Sequence, residues 1–105
     1  MAWIYLIIAA VFEIGWPLGL KLSQTTDKKI TWIIFAAVTM MASGYFLWLS
    51  QKEIPIGTAY VVWTGIGAIG AFAIGIIKFD DPLTFWRVIS VLFILIGVIG
   101  LKLSH

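Results

Sequence analysis

Cysteine is absent from this 105-residue chain, which excludes disulfides and thiolate metal sites and leaves the redox compartment unmarked. Charge is scarce: Asp, Glu, Lys and Arg make up 11% of residues, with a formal net charge of +2. That balance, without a basic stripe, gives no nucleic-acid footprint. The chain also lacks a nucleophile–base pair, a cluster of metal-ligating side chains and a phosphate loop, so no enzyme, metal or cofactor is expected. Nor does its start read as a cleaved secretory leader. It has no Lys/Arg n-region, an acidic residue interrupts the first apolar run, and further apolar runs follow.

What is there in quantity is hydrocarbon. Hydrophobic residues make up 62% of the chain, and mean hydropathy is +1.08. A soluble domain of this size leaves much of its surface in water and cannot hide so much apolar area, whereas a bilayer can serve as its solvent. Four apolar runs lie at about residues 3–22, 31–50, 57–77 and 84–103, each near the roughly 20 residues that cross about 30 Å of hydrocarbon. They lack the alternation of barrel strands, so helices are expected. The reading is an all-α integral membrane protein, a single four-helix transmembrane domain over residues 1–105 with short polar connections. Asp81 and Pro82 read as the N-cap and first position of the fourth helix.

Charge placement gives the first functional clue. Asp27, Lys28, Lys29, Lys52, Glu53, Lys78, Asp80 and Asp81 are expected in connections, while Lys21, Arg87 and Lys102 lie near span ends and can snorkel to the headgroups. Glu13 falls near the middle of the first span, where an ionised side chain costs roughly 2.5–3.5 kcal/mol. No basic residue is placed at comparable depth. A permanently protonated interhelical donor is the structural alternative, but intramembrane carboxylates mark ion and proton pathways. A carboxyl held away from water can carry a proton or a cation but not both comfortably, which is the minimal machinery of an exchanger.

The surroundings read as a cation site. Trp16 lies three residues after Glu13 on the same helical face, and Ser43 falls near the middle of the second span. Tyr60, Trp63, Thr64 and Gly67 form one stripe of the third span. Indole faces attract cations, and hydroxyls can anchor a carboxylate. Pro17 removes the backbone bond to the Glu13 carbonyl, which predicts a loosened turn there. Gly65 and Gly67 read as a hinge, and Gly67, Ala71 and Gly75 as a stripe for close helix approach. Four spans are too few to enclose a path and also move around it, so a dimer is expected, with two copies of Glu13 facing one chamber. Lys21, Lys28, Lys29, Lys78 and Arg87 flank one side against Lys52 and Lys102 on the other, which predicts the first and third connections inside.

The sequences F-E-I-G-W (12–16), P-I-G-T-A-Y-V-V-W-T-G-I-G (55–67) and G-V-I-G-L-K (97–102) resemble the small multidrug resistance transporters over essentially the whole chain. Trp16 after the Glu, with W-T-G-I-G-A-I-G-A later, looks like the guanidinium-exporter branch. The resemblance implies an antiparallel homodimer of dual topology, multi-pass in the inner (plasma) membrane, with a heteromeric partner as the alternative assembly. It implies export of guanidinium and small substituted guanidinium-type cations in exchange for protons, with Glu13 binding cation or proton and Trp16, Ser43, Tyr60 and Trp63 lining the chamber. Pro17 departs from the small or aliphatic residue expected there. Two alternatives stand beside this reading. One is a polyspecific proton-coupled exporter of hydrophobic quaternary ammonium compounds. The other is a non-transporting membrane accessory subunit with Glu13 as structural glue.

Overall fold

Hydrocarbon offers no hydrogen-bond partners, so a long apolar run satisfies its backbone internally by coiling. The computed structural model describes residues 1–104 and contains α1 (Ala2–Thr25), α2 (Lys29–Ser50), α3 (Ile56–Phe79) and α4 (Phe85–Ser104). All four are long and apolar enough to cross a membrane. Hydroxyls inside them turn back on their own helices: Thr25 donates to the Lys21 carbonyl, Thr39 to Phe35, Ser50 to Leu47 and Ser90 to Trp86.

α1 is the organising helix. It packs on α2 and α3, whereas α4 rests on α3 and α2 barely meets α3. Small residues decide how closely these helices approach. A Cβ built on Gly15 would lie 3.0 Å from Thr39 Cγ2, and one on Gly19 would lie 3.0 Å from the Trp32 carbonyl oxygen. Stacked rings of Phe12 and Phe46, 6.0 Å apart, extend the α1–α2 seam. Gly70 of α3 makes room for Ile14 of α1, and Gly65 for Val98 of α4. Leu6, Ile54, Ala59, Val62 and Val98 form the apolar core at one end.

The assembly is a slab measuring 44 × 34 × 16 Å. Its least dimension falls short of two helix diameters of about 10 Å each. Large apolar side chains such as Val38, Met41, Phe93 and Ile96 are exposed, and Val98 is the one buried residue of α4 among those described. Such a surface is at home in lipid. Cations cluster at its edges on aromatic faces: Lys102 lies 5.2 Å from the Trp3 ring and Lys52 4.8 Å from Trp48.

Three expectations are corrected. The fourth helix begins at Phe85, not at Pro82. Asp80 takes a left-handed turn (φ 56°) after α3, and the Asp81 N–H returns to the Gly75 carbonyl at 3.0 Å. Asp81 is thereby drawn to the end of α3, with its carboxylate against Gly75. Thr84 caps α4 in its place, its Oγ1 accepting the Arg87 N–H at 3.3 Å. Lys29 and Lys78 sit in terminal helical turns instead of connections, and Lys78 there faces the negative end of the α3 dipole.

Candidate functional site

The site follows from the register of α1. Ala9, Glu13 and Trp16 are spaced by four and three residues and share one face of the helix. Glu13 and Trp16 are both half-buried. The Trp16 indole Nε1–H donates to Glu13 Oε1 at 2.6 Å, a short bond for a nitrogen donor. The indole thereby holds the carboxylate in one orientation.

Ser43, fully buried in α2, behaves unlike the self-satisfied hydroxyls. It donates across the α1–α2 seam to the Ala9 carbonyl at 2.7 Å, and it accepts the Trp63 Nε1–H from α3 at 2.8 Å. Its Oγ also lies 3.5 Å from Glu13 Oε2. A hydroxyl has one hydrogen, so Ala9 O and Glu13 Oε2 compete for it, and the shorter distance assigns it to Ala9. Three helices meet at this one oxygen. On the far side of the carboxylate, a Cβ on Gly67 would lie 2.7 Å from Glu13 Cγ. The side chain that Gly67 lacks is the space the Glu13 stem occupies.

The structure therefore brings Glu13, Trp16, Ser43, Trp63 and Gly67 together. Tyr60 stands apart. Its ring is tilted against Trp63 with centroids 5.5 Å apart, but it is largely exposed and lines an apolar α3–α4 groove of about 520 Å³ with Thr64, Gly65 and Val98. Gly65 faces α4 and Gly67 faces α1, so the two expected hinge glycines serve different seams of an unbroken α3. Pro17 likewise lies inside α1 without ending it. The residue that sequence reasoning missed is Ala9, which enters through its carbonyl oxygen. A backbone acceptor leaves no mark in side-chain pattern. Gly70, the seat of Ile14, lies off the four-residue stripe that drew attention to Gly67 and Gly75.

Four apolar helices, with a carboxylate where three of them meet, define a small multi-pass membrane protein. The family model described as Small Multidrug Resistance protein matches residues 1–94, and the chain belongs to that family. Among similar proteins, one named guanidinium exporter from Yersinia pseudotuberculosis serotype I (strain IP32953) is 44% identical over 104 residues, covering 99% of each chain. A guanidinium exporter of Escherichia coli (strain K12) is 38% identical, covering 99% of this chain and 98% of the relative. One from Proteus vulgaris is 39% identical over 99% of each.

Proposed function

We propose that this protein exports guanidinium and small substituted guanidinium-type cations across the inner membrane in exchange for protons, with Glu13 of two antiparallel copies as the shared binding group. The observation that carries this reading is the carboxylate held between Trp16 on one oxygen and Ser43 beside the other. An ionised carboxyl has about four lone-pair sites. Trp16 takes one on Oε1, and the Ser43 hydrogen is spent on the Ala9 carbonyl, so a free pair of sites remains with one on each oxygen. Two parallel N–H groups of a planar guanidinium ion match that remaining pair in bidentate fashion. A proton bound at Glu13 removes the charge the cation needs, so protons and guanidinium exclude one another. A slab 16 Å thick with a half-buried carboxylate leaves the other side of the chamber to a second copy.

The same guanidinium-exporting relatives support the substrate. The alternative of bulky quaternary ammonium substrates has no particular observation in its favour, because such cations offer no N–H fork to the carboxylate. The experiment is guanidinium-evoked current in proteoliposomes of the purified protein, beside Glu13→Gln and with a quaternary ammonium as second substrate. Current with guanidinium, lost in Glu13→Gln and weakening as pH falls through competition, is expected. Absence of guanidinium current from folded protein refutes the assignment. Current of equal size with the quaternary ammonium moves the protein to the polyspecific reading.

A further inference from the structure

Arg87, in the first turn of α4, lies far from Glu13 in the chain and has no part in the cation site. Its guanidinium carbon stands 5.0 Å from the centroid of the Phe72 ring on α3. Its Nε is buried and has no hydrogen-bond partner among the described residues, an unfavourable state for a charged donor that calls for an explanation. Around it is a groove of about 340 Å³ lined by Phe72, Trp86, Arg87, Ser90 and Val91. The acid nearest in sequence, Asp81, is turned toward Gly75. The Ser90 hydroxyl spends its hydrogen on the Trp86 carbonyl at 2.8 Å.

The groove is therefore rich in donors, from the Arg87 fork and the exposed Trp86, and poor in anionic acceptors. Its walls are apolar. Its place in the first turns of a membrane-crossing helix puts it at headgroup depth, where an indole also prefers to lie. Basic grooves between membrane helices suit lipid phosphate, and Arg fits phosphate oxygens with two parallel bonds. We propose that this groove seats the phosphate of an anionic phospholipid from the surrounding leaflet, with Arg87 as its ligand, Phe72 as the plate on which the guanidinium is fixed, and the acyl chains running down the α3–α4 surface.

Native mass spectrometry of the delipidated protein in detergent tests this, with phosphatidylglycerol titrated against phosphatidylcholine and with inorganic phosphate as competitor. Wild type is expected to retain phosphatidylglycerol at least about tenfold more tightly than Arg87→Gln. Arg87→Lys, which keeps the charge without the fork, should fall between them. Lys52→Gln, at a cation that rests on Trp48 instead, should match wild type. Helical circular dichroism and an unchanged elution volume establish that each variant is folded. Equal lipid retention by wild type and Arg87→Gln would overturn the proposal. So would displacement of the lipid by inorganic phosphate at matching concentrations, which marks a free-anion site, or loss of dimer in Arg87→Gln with lipid retained, which marks a contact between copies.

Discussion

Gly67→Ala isolates the geometry of the site from its chemistry, because it removes no functional group. The added methyl would lie 2.7 Å from Glu13 Cγ and 3.3 Å from Glu13 Cβ. Carbons settle at about 3.5–4.0 Å, so the Glu13 stem must shift by roughly 1 Å. A stem displaced by that much no longer keeps Oε1 in the geometry of its 2.6 Å bond from Trp16, and hydrogen bonds weaken steeply outside good geometry. A hydrogen bond to a charged group contributes about 1.5–3 kcal/mol. At about 1.4 kcal/mol per decade, guanidinium binding should weaken by roughly 10- to 150-fold. The fold itself should survive. Overpacking costs about 1–3 kcal/mol, and alanine recovers about 1 kcal/mol over glycine in a helix. The assay is quenching of intrinsic tryptophan fluorescence by guanidinium in detergent, with Trp16 and Trp63 as internal reporters. Gly44→Ala and Gly57→Ala, where an added Cβ meets nothing within 4 Å, are the controls and should bind as wild type. Wild-type affinity in a folded Gly67→Ala protein refutes the claim that this glycine sets the carboxylate's position. Equal losses in the controls refute it as well.

Trp16→Phe keeps a ring but loses the N–H that orients Glu13, and should weaken guanidinium binding by about tenfold in the same titration. Ser43→Ala orphans the Trp63 N–H and removes the cross-seam bond to the Ala9 carbonyl, which keeps its own helical partner, at the junction of α1, α2 and α3. Thermal unfolding in detergent should show a loss of about 1–3 kcal/mol, larger than for Ser90→Ala on the exposed face of α4. Pro17→Ala restores a donor for the Glu13 carbonyl, and should both stabilise α1 and change the turnover of guanidinium-driven current. Transport and pH dependence unchanged from wild type would rule out a role for the proline.

Much of the architecture was legible before any coordinates. Length, hydropathy and the scarcity of charge force four helices, because a bilayer admits no lipid-exposed irregular backbone. Glu13 was conspicuous for the same reason, since one carboxylate in an apolar run stands against a large desolvation penalty. Trp16 followed from helical periodicity alone, being three residues along the same helix. The start of α4 was misread because Asp81 and Pro82 carry a strong local signal, while the left-handed turn at Asp80 recruits Asp81 to the preceding helix.

Local periodicity thus determined which helices form and which face of α1 carries the carboxylate. Tertiary structure decided what that face meets. Ser43 spans the seam to Ala9 and receives Trp63, Gly67 yields its side-chain volume to Glu13, and Tyr60 lines the α3–α4 groove. The rotation of one helix against another depends on how small and large side chains interlock across the seam. That interlocking is a property of pairs of surfaces, and no single stretch of sequence contains it.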